Sequence, residues 1–421
     1  MNASKCLGCG AVLPVPFLDL GRTPLANSYL PPAQAEGKEK TFPLAIAYCG
    51  KCYLVQLTRR VPPDTLFAEY PYFSSYSDGF IKHVEAMAAA YIDRFDLGHS
   101  SKVLEIASND GYLLRCFQQR GIPVLGVEPA RNIAGDARSR GIPTLERFFG
   151  LNVVSEVRSE FGLADIVIGN NVLAHVPAIN DFLQAVKACL KAGGVAVFEF
   201  PYLKDLLDRT EFDTIYHEHV FYYSLSALEV LASRAGLDLF DVEHHPVHGG
   251  SLRLFLQHRG TRPRTERVEQ QLRAEAADGL TNAERYRTFA DQVRHVRAEL
   301  LHLLESLKHS GKRIAAYGAP AKGNTLLNYC EIGRDLLDFT VDRSPHKQGL
   351  LLPGSRLPVR APDTLVDERP DYVLVLAWNM LDEILSQQAA YLKGGGRFIV
   401  PIPLPRILNA YSASHSEVHS T

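Results

Sequence analysis

The 421 residues predict an α/β protein in three parts: a small metal-stapled N-terminal module followed by two separate doubly wound sheets. Three observations point there. Four of the seven cysteines sit as two C-x-x-C pairs near the start. Short apolar runs then alternate with helical segments from about Ser101, and the same alternation restarts after Gly311. At roughly 150 residues per domain, the length accommodates two to three cores.

The composition is that of a folded globular chain, with 46% apolar and 22% charged residues and a mean hydropathy of -0.07. A net charge of -2 lacks the basic field by which nucleic-acid binders displace counterions, so no nucleic-acid partner is expected. No run approaches the roughly 18 to 20 apolar residues that span a bilayer, and cysteine chemistry begins before any signal-peptide core. A cytoplasmic location with no membrane partner is the expectation.

In the first module (1–80), Pro14, Pro16, Pro24, Pro31, Pro32, Pro43, Pro62, Pro63 and Pro71 forbid a long helix. Cys6-Leu-Gly-Cys9 and Cys49-Gly-Lys-Cys52 are knuckles whose four thiolates can close a tetrahedral shell around zinc. A closed shell leaves no place for a substrate, so the metal is structural. Cys116, Cys189 and Cys330 read as core residues.

The second part (81–260) carries predicted strands at 102–106, 122–127, 164–168 and 194–200. Glu105, Ala107, Asn109, Asp110 and Gly111 form the turn after the first of these, at the strand end where open α/β sheets take ligands. Glu128-Pro129 ends the next strand, about twenty residues on, where a carboxylate can accept from both hydroxyls of a ribose. A turn with one glycine does not make a dinucleotide fingerprint, which needs three; an adenosine ligand without phosphate, S-adenosylmethionine, demands less. Asn171 and His175 follow the third strand toward the same edge. Tyr216-His217-Glu218-His219 lies just past the fourth, and its spacing does not match the H-E-x-x-H zinc helix.

From 261 to 310 the charged sequence repeats apolar residues at three- and four-residue steps, from Tyr286 to Leu307, as one long amphipathic connecting helix does. The last part (311–408) has predicted strands at 312–317, 337–342, 372–376 and 397–400, and a polar tail (409–421) follows. Gly318 and Gly323 flank Lys322, a phosphate-seeking charge at a strand-to-helix turn.

Together these residues resemble the S-adenosylmethionine-dependent C-methyltransferases of nucleotide-linked deoxysugars, exemplified by 3-C-methyltransferases of thymidine-diphosphate 4-keto sugars. The resemblance spans nearly the whole chain. It includes both knuckles, Pro24-Leu25-Ala26-Asn27, the turn from Glu105 to Gly111, Gly126-Val127-Glu128-Pro129, Tyr216-His217-Glu218-His219, His248-Gly249-Gly250-Ser251-Leu252-Arg253 and the stretch from Tyr317 to Asn324. One departure is Ala107, where such enzymes carry glycine.

The resemblance implies a central Rossmann-like class I methyltransferase domain, a C-terminal Rossmann-like domain for the nucleotide sugar, and a role in deoxysugar and antibiotic biosynthesis. It implies methylation at C3 through an enolate, with His219 as base, Tyr216 and His175 as donors to the enolate oxygen, and Glu218 orienting an imidazole. Tyr70 is expected to enter from the end of the zinc module, with Tyr72 and Tyr76 as rivals on the substrate. Lys322, Asn324 and Ser344, with Lys347, are expected on the nucleotide. The alternatives left open are a C5-methyltransferase of the same family, a non-catalytic sugar-nucleotide scaffold and an RNA methyltransferase; oligomeric state is unread.

Overall fold

The computed structural model describes residues 4–62, 65–66, 78–245 and 249–409. Although prolines exclude long helices from the first module, they leave room for short strands. β1 (Leu18–Thr23), β2 (Phe42–Tyr48) and β3 (Val55–Leu57) form an antiparallel sheet. Side chains alternate along β2: Ala47, then Cys49, belong to one core, and Leu44, Ile46 and Tyr48 to another. The module is therefore a wedge with two buried faces.

One face packs on the central domain. There β4 (Val103–Ile106), β5 (Val124–Val127), β6 (Thr144–Leu145), β7 (Ala164–Asn170) and β8 (Leu190–Pro201) run parallel. β9 (Phe221–Tyr222) leaves this domain and pairs with β3, completing the module's sheet. β10 (Leu237–His245) and β11 (Ser251–His258) add an antiparallel edge, giving the order β10-β11-β8-β7-β4-β5-β6. Strands β4 and β5 are buried throughout because helices cover both faces of the sheet, and so they read as unbroken apolar runs.

The wedge's other face meets the connector and the C-terminal half. The connector is two helices, Glu266–Ala277 and Ala283–His309, where the sequence predicts one. Gly279 takes φ 81°, and the Asn282 side chain accepts from Glu284 N to cap the second helix. Tyr286, Phe289, Val293, Val296, Leu300 and Leu304 form its buried stripe. β12 (Ile314–Tyr317), β13 (Thr340–Val341), β14 (Val359–Arg360), β15 (Tyr372–Val375) and β16 (Arg397–Val400) are parallel, with β17 (Arg406–Leu408) antiparallel at the edge. The order β14-β13-β12-β15-β16-β17 reverses direction beside β12, which puts the turn at Gly318 on a topological switch point. Among the described residues no helix is long and apolar enough to cross a membrane. The predicted polar tail lies outside the described residues from 410 onward.

Candidate active site

The two knuckles close on each other. Cys6 Sγ lies 3.5 Å from Cys52 Sγ and Cys9 Sγ 3.5 Å from Cys49 Sγ, and all four sulfurs fall within 4.8 Å. Each knuckle ends in a left-handed residue, Gly10 at φ 78° and Tyr53 at φ 62°. The Gly10 and Tyr53 amides donate back to the carbonyls of Cys6 and Cys49, so both loops have the same shape. The Cys52 thiol beside Cys6 pulls the Cys6 pKa down to about 5, and the same contact pushes Cys52 up. Four sulfurs this close cannot all ionise without a cation between them, and four thiolates are a zinc donor set.

At the end of β4 the chain folds into a turn of unusual backbone. Ala107, Asn109 and Gly111 take φ of 55°, 50° and 77°. A Cβ at Gly111 would lie 2.8 Å from Ile142 Cγ1, so glycine is needed there for space as well as conformation. Glu128 clamps this turn: Oε2 accepts from Asn109 N at 3.0 Å and Oε1 from Ala130 N at 2.9 Å. Burial raises its pKa. Asp110 accepts from Arg140 Nη1 at 3.2 Å. Both oxygens of Glu105, Asp110 Oδ1, Ser108 Oγ and, at the end of β7, Asn170 Oδ1 are buried with no hydrogen-bond partner among the described residues. Burial, then Glu128 and Asp110, hold the Glu105 pKa well above the ordinary carboxylate range. This is a cluster of unpaired acceptors and acid at the end of the sheet, and it suits a cationic, donor-rich ligand; S-adenosylmethionine, with an ammonium, a sulfonium and two ribose hydroxyls, is one.

Next to it, β7 turns through Asn171, at φ 53°, whose amide donates to Glu199 O at 2.7 Å. That turn delivers His175. Its Nδ1 donates to the Glu218 carbonyl at 2.9 Å, and its ring meets His219 edge-on, centroids 4.9 Å apart. His219 Nδ1 donates to Thr214 O at 3.1 Å, leaving Nε2 to accept from Tyr216 OH at 2.9 Å. Burial lowers the His175 pKa to about 4 and, with His175 adding to it, puts His219 well below the ordinary imidazole value. Both rings are neutral at pH 7.

The other two residues of the cluster point elsewhere. His217 Nε2 donates to Phe42 O at 3.2 Å, and burial depresses its pKa. Glu218 Oε1 accepts from Asn27 Nδ2 at 2.6 Å, and burial raises the carboxyl.

The C-terminal half contributes one charge beside this pair. Lys322 Nζ donates to Asn379 Oδ1 at 3.1 Å and lies 4.5 Å over the ring of Trp378. Asn324 is buried and donates to Ala26 O at 2.6 Å. Ser344 is set apart by the end of β13, where its amide and that of Ala319 donate to Asp342; Lys347 Nζ donates to Ala319 O at 2.7 Å. The structure thus brings Tyr216, His219 and His175 together, with the Lys322 charge close enough to help depress the His219 pKa, while His217 and Asn324 bond to backbone carbonyls and Ser344 sits on the Asp342 carboxylate. Tyr70, Tyr72, Tyr76 and His248 lie outside the described residues.

Two acids that sequence reasoning missed complete the junction. Asp213 Oδ2 accepts from Trp378 Nε1 at 2.7 Å, and burial raises its pKa to about 6. Burial raises Glu211 to about 8. Glu211 Oε1 and Asp213 Oδ1 have no partner among the described residues. The available signal was their place in Glu211-Phe212-Asp213, two residues short of Tyr216.

With this geometry in hand, comparison with known proteins is decisive. C-methyltransferase NovU of Streptomyces niveus is 39% identical over 412 residues, covering 97% of each chain. This chain belongs to the C-methyltransferase family. Three family models match consecutive stretches: a "Putative zinc binding domain" at residues 6–67, a "Methyltransferase domain" at 80–242 and a "C-methyltransferase C-terminal domain" at 246–403. Among solved structures, an S-adenosylmethionine-dependent methyltransferase from Clostridium acetobutylicum is 14% identical, covering 44% of this chain and 94% of its own, with a TM-score of 0.35. Magnesium protoporphyrin IX methyltransferase from Synechocystis is 13% identical, covering 43% and 80%, with a TM-score of 0.33. The C-methyltransferase uses S-adenosylmethionine and carries an N-terminal zinc-binding domain.

Proposed function

We propose that this C-methyltransferase methylates a nucleotide-linked 4-keto-6-deoxysugar, with thymidine diphosphate as the nucleotide, at C3. The observation that carries the reading is the Tyr216–His219 pair, with Nε2 of a neutral imidazole held 2.9 Å from a phenol beside the acceptor-lined cofactor turn. A ketone acidifies the hydrogen on the adjoining carbon. His219 Nε2 takes that proton, and the C–H pair becomes the enolate double bond. Thr214 O, which accepts from Nδ1, supports the imidazolium that forms. Once Nε2 is protonated it can no longer accept from Tyr216, whose hydroxyl turns to the enolate oxygen, with the His175 ring edge-on to that of His219. Bound S-adenosylmethionine supplies an electrophilic methyl group to the enolate carbon. Glu105, Ala107, Asn109, Asp110, Gly111, Glu128, Pro129 and Asn171 shape its place. Lys322 is assigned to the nucleotide diphosphate, supported by the turn at Gly318 and the helix Ala321–Cys330 that follows it, whereas Asn324, expected there from the sequence, is buried with its donor on Ala26 O, and Ser344 is held at Asp342.

The test is incubation of a nucleotide-linked 4-keto-6-deoxyhexose with S-adenosylmethionine bearing a deuterated methyl group, read by mass spectrometry and NMR. Label on C3 supports the reading, and label on C5 moves the chemistry to the other neighbour of the ketone. No transfer by protein that binds the cofactor overturns this substrate.

A further inference from the structure

The motif Pro24-Leu25-Ala26-Asn27 has no part in the chemistry above, yet it is held from two sides. Ala26 O accepts from buried Asn324 at 2.6 Å, and Asn27 Nδ2 donates to Glu218 Oε1 at 2.6 Å across 191 residues of sequence. Glu218 is 6% exposed, and its backbone carbonyl is the acceptor for His175 Nδ1. The residues around it are gripped by the same module. His217 Nε2 donates to Phe42 O at 3.2 Å, and Leu57 N donates to Val220 O at 2.9 Å. Phe221 and Tyr222 then pair with Gln56 and Val55, three to four residues after Cys52. Every residue from 217 to 222 except His219 therefore has a hydrogen bond or strand pairing to the N-terminal module. His219 itself is left to Tyr216 and Thr214.

We propose that Asn27 is a positioning residue for methyl transfer: its side-chain amide fixes Glu218, and through it the loop that holds Tyr216, His219 and the His175 hydrogen bond. The cysteine-stapled sheet is on this account a working wall of the active site. The inference rests on the reading that Tyr216 and His219 carry the chemistry. A buried carboxyl without its donor has to move or take up a proton, and either change displaces the backbone carbonyl that orients His175.

The test is a double-mutant cycle on the full-length protein, measuring kcat, KM for the keto sugar, and S-adenosylmethionine affinity by calorimetry. Asn27→Ala lowers kcat about 10- to 100-fold, the scale of a small misplacement of reacting groups, with cofactor affinity kept within about twofold. Glu218→Ala does the same, and the double alanine variant is no worse than either single one. Asn27→Asp sets two carboxyls against each other and is slower still, whereas Asn27→Asp with Glu218→Gln re-forms the bond with donor and acceptor exchanged and restores kcat. That exchange preserves volume, so it decides the matter even where alanine at 27 costs folding. An unchanged kcat in Asn27→Ala, additive losses in the cycle, or failure of the exchange to rescue overturns the proposal. His219→Ala in the same assay separates the two levels: transfer retained there refutes the site, while transfer lost there with a silent Asn27→Ala refutes only the role of Asn27.

Discussion

Replacing Glu128 with glutamine removes one negative charge and exchanges one acceptor for a donor, in a side chain whose oxygens are both engaged. Oε2 accepts from Asn109 N at 3.0 Å and Oε1 from Ala130 N at 2.9 Å. A glutamine oxygen can satisfy one of these amides; its N–H₂ then faces the other. One backbone donor left buried and unmet costs about 1–3 kcal/mol, and this part appears without cofactor, as lower stability in urea unfolding. The remaining lone pairs of the carboxylate are those placed to accept from ribose hydroxyls. Weakening charge-assisted bonds there costs roughly 1.5–3 kcal/mol, which calorimetry would read as S-adenosylmethionine binding about 10- to 150-fold weaker. A dissociation constant within about threefold of the parent would refute the assignment of Glu128 to the ribose.

Three further outcomes follow from the same structure. Cys49→Ser abolishes stoichiometric zinc in elemental analysis and lowers the melting midpoint, because the four-sulfur set shares its core with the central domain; zinc retained at one ion per chain would contradict the donor set. Glu211, raised to about 8 from an ordinary 4.5 by burial, takes up a proton on folding, so the stability it lends is full below pH 4.5 and lost as pH rises through about 8. Glu211→Gln, which stays neutral, accordingly gains on the parent in thermal melts as pH goes from 5 to about 9; a constant difference across that range would refute the burial of this acid. Ala107→Gly relieves a left-handed φ of 55° at the cost of glycine's backbone freedom and a partly packed methyl, so stability stays level or rises by about 0.5 kcal/mol. A fall of more than about 1 kcal/mol in chemical denaturation would show that the turn is not strained.

The parallel strands β4, β5, β7 and β8 were legible in the sequence because they are buried and bounded by turn residues, whereas the two-residue β6 was not. The module's strands were not: β2 contains Pro43, β3 has three residues, and β3 acquires its second partner from residues 221–222. The connector was predicted as one helix because its apolar spacing persists; the break at Gly279 and the Asn282 cap are local events that periodicity does not register. Tyr216 and His219 stand three apart, so their pairing lies within one loop and could be anticipated. Asn27 with Glu218 and Trp378 with Asp213 are contacts between parts of the fold 191 and 165 residues apart. The seating of the module on the central domain brings the first pair together and the packing of the C-terminal half on that domain the second, and no local pattern encodes either. Glu211 and Asp213 were overlooked because an acidic residue in sequence carries no sign of its burial.

The account stands most directly on His219 as the base that takes the hydrogen next to the ketone. The decisive measurement is single-turnover transfer of a deuterated methyl to the keto sugar by wild type and His219→Ala, with S-adenosylmethionine affinity measured on both. Loss of rate by about 10²–10⁴-fold at unchanged cofactor affinity is the predicted result. A variant that transfers methyl within about tenfold of wild type would contradict it.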